Sequence, residues 1–223
     1  MSPCLLLHGL GEPPAHIPDA ERPYWLPVEV FARILAMAQH HDVRLTFDDG
    51  NDTDARVALP MLREAGLTAS FFIPSNRIGR PGYVGEADIR ALRDASMEIG
   101  SHGRAHIRWT EVSDDAIVDD VSASIDNLQA ILGERVRGVA VPFGACDRRV
   151  LRVLRRLGAG RVYSSFAGPD PADAWLVRRD CLTADMPIPA IERLLTKKYT
   201  AVDGTLSFLR TWRRAGEASL WRA

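Results

Sequence analysis

The chain has 223 residues, 46% of them hydrophobic and 26% charged, with a formal net charge of −1. That length suits one well-buried α/β domain spanning 1–223 and is short for two, and the balanced charge offers no electrostatic footprint for a nucleic acid. Cys4, Cys146 and Cys181 are scattered and form no CxxC pair, which argues against a disulfide framework or a cysteine-rich zinc knuckle and reads as free thiols in a reducing compartment.

The opening "MSPCLLLHGLGEPP" has a short apolar core without a basic lead, and no apolar run reaches membrane-spanning length, so the expectation is a cytoplasmic chain with no transmembrane segment. Within it "CLLLHG" reads as a strand ending at His8. "PVEVFARILAMAQH" carries the helical apolar spacing of Val28, Phe31, Ile34, Leu35 and Met37. Strand "VRLTF", helix "DARVALPMLREAG", strand "TASFFI" and helix "EADIRALRDAS" follow, with Gly66 where a left-handed helix cap belongs. Between the last two lies a long polar loop, 74–85. "MEIGSH" reads as the next strand ending, and Ser113 opens a long amphipathic helix through "SDDAIVDDVSASIDNLQAILG". "VRGVAVPFG" is a strand, "DRRVLRVLRRLG" a helix, and "RVYSS" and "AWLVRR" late strands; 181–223 reads as mostly helical. Repeated βα units predict a parallel sheet or closed barrel, whose chemistry gathers at the carboxyl ends of the strands. His8, the pair Asp48–Asp49, His102 and Pro142–Phe143–Gly144 all fall there.

In "DVRLTFDDGNDTD" two carboxylates stand side by side at a strand end, although neighbouring strand residues point to opposite faces. An Asp-Gly turn is one explanation. A metal site is the other. "SHGRAH" sets His102 and His106 four residues apart, and Asp49 from an adjacent strand end completes a set of two imidazoles and one carboxylate. Such a set suits Zn²⁺, with Co, Ni or Mn as alternatives, and brings the pKa of a bound water towards neutrality. Asp48 is then the free carboxylate placed to accept that water's proton.

These motifs resemble the NodB-homology polysaccharide deacetylases, carbohydrate esterase family 4. "TFDDG" is similar to that family's first motif and "SHGRAH" to its second, with Gly103 for the usual Ser or Thr. "AVPFG" resembles the aromatic-glycine part of the third, and the flanks "LPMLREAGLTASFFI" and "SMEIGSH" agree as well. The resemblance covers about 3–180. It implies a distorted (β/α) barrel and metal-dependent removal of an N-acetyl group from a sugar. Asp48 would be the base, Asp49, His102 and His106 the metal ligands, and the Phe143 N–H an oxyanion donor flanked by Pro142 and Gly144.

Three departures stand out. Ala140 occupies the place of the third motif's arginine, for which Arg178 or Arg179 could substitute from a later strand. "PADAW" resembles the fourth motif only loosely, with Asp170 and Asp173 matching and Trp175 displaced by one. No histidine follows His106, so the family's late general acid is missing, and Asp185, His8 or Asp48 itself must protonate the leaving amine. His8 is otherwise a pocket-lining residue, and His40 and His41 are structural at a helix end.

Two functions are carried forward. One is an amidohydrolase acting on an N-acetylated sugar or glycan, lipid-linked forms included, in surface-polysaccharide biosynthesis. The other is a catalytically silent metal-binding domain that recognises glycan or a partner enzyme. The tail "RTWRRAGEASLWRA", mixing Trp212 and Trp221 with arginine, is a candidate contact for a membrane surface or a lipid-linked phosphate.

Overall fold

Short runs, some wholly apolar and others with polar residues between, build strands that are largely buried on both faces, as parallel sheets require. In the computed structural model, which describes residues 2–196, those runs give β1 (Cys4–Leu7), β2 (Arg44–Asp48), β3 (Ser70–Ile73), β4 (Glu98–Ser101), β5 (Gly138–Ala140) and β6 (Arg161–Tyr163). Two two-residue strands follow, β7 (Leu176–Val177) and β8 (Asp180–Cys181). The helices between and after them are α1 (Val28–Ala38), α2 (Leu59–Ala65), α3 (Glu86–Asp94), α4 (Asp114–Leu132), α5 (Arg148–Arg156) and α6 (Ile188–Thr196). Ser113 caps α4 as expected, its hydroxyl accepting from the Ala116 N–H at 3.3 Å. One segment departs from the periodicity: Asp54–Ala58 is a π-helical turn leading into α2. The expected membrane-contacting tail lies outside the described residues.

Every strand pair is parallel, in the order β7-β6-β5-β4-β3-β2-β1-β8. The two outermost strands, β7 and β8, are separated in sequence by Arg178 and Arg179 alone. Val177 and Asp180 are therefore three Cα steps apart, at most about 11 Å. A sheet whose opposite edges must come that close is curled, and the expected distorted barrel is the result.

Alternation sorts the strand residues between two layers. Leu5, Leu7, Leu45, Phe47, Phe71 and Ile73 face outward into the core shared with the helices. Cys4, Phe72, Ala140, Tyr163 and Val177 cluster inside the curl. The register pairs Leu6 with Thr46 and Leu7 with Phe47, so His8, one step beyond β1, shares the inner face of Thr46 and Asp48. The strand ends on that face carry the polar residues.

Candidate active site

The paired aspartates reach one site because the strand stops between them. Asp48 ends β2 on the inner face, whereas Asp49 turns into the left-handed region at φ 81° and Gly50 continues it at φ 63°. The reversal brings Asp49 back to the side where Asp48 already points. Among the described residues four non-glycine positions have positive φ, and three of them, Asp49, His106 and Phe143, belong to this site. Backbone held in such conformations costs about 1–3 kcal/mol each, and it persists where the surroundings fix it.

The surroundings are visible in the loop after β4. Gly103 sits at φ 73°, and a Cβ there would stand 2.4 Å from Asp120 Oδ2. This explains the departure from Ser or Thr in the motif: the space belongs to a carboxylate from α4. Asp120 is 3% exposed; its Oδ1 accepts from the Ala105 N–H at 2.8 Å and its Oδ2 from the Trp109 indole N–H at 3.0 Å. Both bonds brace the turn that carries His102 and His106. Sequence reading passed over Asp120, since an acidic residue on an amphipathic helix ordinarily faces water.

His102 Nδ1 lies 3.0 Å from the Ala140 carbonyl oxygen, to which it donates as Nδ1–H, leaving Nε2 with its lone pair turned to the aspartates. Burial lowers the His102 pKa to about 4, outweighing the opposing pull of Asp48, so the ring is neutral as a metal ligand must be. Asp49 Oδ1 is 3.1 Å from His106 Nε2 and 3.8 Å from His102 Nε2, and the three ligand atoms lie within 4.8 Å of one another. That oxygen is buried and meets no partner in good hydrogen-bond geometry, although Arg77 Nη1 forms an ion pair with it. A buried carboxylate oxygen facing two imidazoles fits a divalent cation, and the donor set suits Zn²⁺ or a related ion. Burial raises the Asp49 pKa, but the neighbouring imidazoles of His106 and His8 and the Arg77 guanidinium together hold it well below the usual carboxylate range. Arg77 stands 3.0 Å from Asp49 Oδ1 and 3.0 Å from His106 Nδ1. Ligation through His106 Nε2 requires Arg77 to leave Nδ1, because a guanidinium can only donate.

Asp48 is clamped by a side chain that the sequence could narrow only to one of two neighbours. Arg179, fully buried, donates from Nη1 to Asp48 Oδ1 at 2.6 Å and from Nη2 to Oδ2 at 2.7 Å. Its Nε donates to the Ser164 carbonyl at 3.0 Å, and its guanidinium carbon lies 5.5 Å and 5.8 Å from the ring centroids of Phe72 and Tyr163. The inner face at Ala140 is small, and the guanidinium enters instead from the β7–β8 link. Burial pushes the Asp48 carboxyl up, and Arg179, with His102 behind it, more than offsets this, so Asp48 stays ionised.

Arg178 does not join the site. Its Nε and Nη2 donate to Asp170 Oδ1 at 2.8 Å and 2.6 Å, because neighbours on an extended link point in opposite directions. Trp175 is also elsewhere: it precedes β7, at the amino end of the sheet, where its indole N–H donates to the Ala159 carbonyl at 2.8 Å and Arg155 covers its ring at 4.0 Å. Asp185 is exposed and accepts from the Thr183 hydroxyl at 2.6 Å. Pro142 and Gly144 form a 3-10 turn around Phe143, whose ring centroid is 4.3 Å from that of His106. His8 packs its ring 5.1 Å from Tyr24, and its buried Nδ1 has no hydrogen-bond partner.

One more buried group escaped the sequence reading. Asp54, 1% exposed in the π turn, has neither carboxylate oxygen partnered. Burial, reinforced by Asp49 and Asp48, raises its pKa well above the usual value. Burial also pushes the thiols up, Cys4 to about 11 and Cys146 and Cys181 to about 12, so none is a ready nucleophile.

A curled parallel sheet with an Asp-His-His cluster at its carboxyl end defines the class, and comparison of the sequence defines the family. The profile of the family described as "Polysaccharide deacetylase" matches residues 37–162, more than half of the chain. The chain belongs to the polysaccharide deacetylase family. It is 21% identical over 116 residues to the putative polysaccharide deacetylase YxkH of Bacillus subtilis, a match covering 52% of this chain and 42% of that protein. The chain thus spans less than half the length of that relative. Among solved structures, the Streptococcus pyogenes deacetylase PplD in complex with acetate has a TM-score of 0.75 at 16% identity, covering 88% of this chain and 98% of that one. IcaB from Ammonifex degensii has a TM-score of 0.72 at 20% identity, with 88% and 98% covered. These likenesses establish a shared fold.

Proposed function

We propose that this protein hydrolyses an N-acyl group, acetyl in the first instance, from an amino sugar within a glycan. Asp49, His102 and His106 would hold a divalent cation, most simply Zn²⁺. When bound, such an ion acidifies water and polarises an acyl carbonyl. Asp48, kept ionised by Arg179, accepts the proton of the attacking water as its oxygen adds to the carbonyl carbon. The Phe143 N–H faces the oxygen on which negative charge develops. Collapse breaks the C–N bond, and the leaving nitrogen needs a proton. His8 is the donor on this reading. It shares the inner face with Asp48, and its buried Nδ1 is bonded to nothing else, whereas Asp185 is exposed and already bonded to Thr183. The family's late histidine is thereby replaced from the opposite end of the chain. Three free cysteines support a reducing compartment, and among the described residues no helix is long and apolar enough to cross a membrane. On this reading the protein acts in surface-polysaccharide biosynthesis.

The observation that carries this reading is Asp48, a buried carboxylate outside the three-residue ligand set but beside it, its Oδ2 3.7 Å from His102 Nε2 and its orientation held by Arg179. The test is acetate release from a panel of N-acetylated sugars and oligosaccharides by Zn²⁺-loaded protein, with Asp48→Asn, His102→Ala and His8→Ala alongside. Turnover is expected, abolished by the first two and reduced about 10²–10⁴-fold by the third. Stoichiometric metal with no turnover on any substrate would instead favour a silent glycan-binding domain, and failure to bind metal would sink both readings.

A further inference from the structure

The rim of the site is cationic in a way the chain as a whole is not. Two loops border the Asp-His-His cluster, 74–85 and 102–110; between them they hold Arg77, Arg80, Arg104 and Arg108 and not one Asp or Glu, in a chain with 28 basic and 29 acidic residues. The loops are laced edge to edge, the Ser75 N–H donating to the Gly103 carbonyl at 3.1 Å and the Asn76 N–H to the Arg104 carbonyl at 3.0 Å. The segment that leads into Arg77 thus lies against the one that carries Arg104.

Arg77 is answered by Asp49. Arg80, Arg104 and Arg108 are exposed and form no ion pair among the described residues, a state they share with helix arginines such as Arg33, Arg63 and Arg152; what sets them apart is their place on loops beside the cluster. Arg108 instead lies 4.6 Å over the ring of Phe143. Phe143 is 46% exposed, the one large hydrophobic side chain so displayed among the described residues, and its ring abuts His106. An open aromatic face suits the apolar face of a sugar ring. The cations around it suit negative charge one residue away. With a divalent cation neutralising Asp49, the excess of positive charge grows.

We propose that the site takes an anionic glycan: the acylated amino sugar lies over Asp48, and an adjoining carboxylate or phosphate is held by Arg104 and Arg108. The inference rests on the deacetylase reading for the identity of the sugar, but its test reads binding and is independent of turnover.

Zn²⁺-loaded protein is titrated calorimetrically with hyaluronan tetrasaccharide, which carries carboxylates, and with uncharged chitotetraose. N-acetylglucosamine 1-phosphate and N-acetylglucosamine form a second pair. The anionic member of at least one pair should bind about tenfold more tightly at low salt, and the advantage should shrink as salt rises. The pair that shows it tells carboxylate from phosphate. Arg104→Gln with Arg108→Gln should abolish the preference, while Arg152→Gln, on the exposed side of α5, should leave it intact. Equal affinities within both pairs, undetectable binding of all four sugars, or a preference that survives the double substitution would overturn the proposal. Turnover of neutral glycans without an anionic preference would overturn it and leave the deacetylase reading standing.

Discussion

Asp48 and Arg179 form a bidentate ion pair out of reach of water, and such pairs are costly to break from one side. Arg179→Gln leaves a buried carboxylate facing an amide, and urea denaturation should register a loss of about 3–5 kcal/mol. Adding Asp48→Asn should recover much of it; a double variant no more stable than the single would show that the pair is not the cause. Asp54 presents the opposite case. Its folded pKa is raised, so below the ordinary carboxylate value both folded and unfolded chains hold the proton and nothing is lost. As pH rises through about 4, only the unfolded chain ionises, and stability falls until the folded pKa is reached. Asp54→Asn removes that dependence. In chelator-treated protein the variant should therefore gain on wild type as pH rises above about 4, and a difference that stays constant with pH would refute the account. Neither residue could be fully read from sequence. Arg178 and Arg179 are adjacent and identical in type, and only the extended path of the link decides which one faces Asp48. Asp54 sits among Asp48, Asp49 and Asp52, where nothing local marks it as buried.

At the level of elements, the parts that were legible are those where a single period dominates. The apolar runs of β1 to β4 and the capped stretch of α4 follow from such patterns, and the inner face of His8 follows from alternation along β1. Two-residue strands carry no period, so "AWLVRR" reads as one six-residue strand where only β7 forms, and β8, at the opposite edge of the sheet, is not legible at all. Trp175, which the loose match to the fourth motif puts near the site, lies instead before β7 against Ala159 and Arg155. The His102–His106 turn depends on α4 through Asp120, a tertiary contact that no local window contains. Restoring the family's residue with Gly103→Ser should therefore harm this chain, through a Cβ at 2.4 Å from Asp120 Oδ2 and a left-handed φ. Asp120→Asn keeps the size but removes an acceptor from either the Ala105 or the Trp109 bond. Each variant should weaken Zn²⁺ affinity about 10–100-fold in a chelator competition. Unchanged affinity in both would show that the turn holds itself.

On the scale of the molecule, metal binding and folding are linked if Asp49, His102 and His106 come together only in the folded chain. Zn²⁺ at about a hundredfold over its dissociation constant should raise the melting temperature by about 5–10 °C. His106→Ala should remove the rise; a rise that persists would place the ion elsewhere. The whole fold also gives Arg179 a second duty beside that of fixing Asp48. It lies in the two-residue span where the last strands of the curled sheet fall on opposite sides of the opening, β7 against β6 and β8 against β1. The same guanidinium that clamps Asp48 at the end of β2 also bonds the Ser164 carbonyl just beyond β6, so the set of that carboxylate and the curl of the sheet hang on one side chain. A change at this position would loosen both at once.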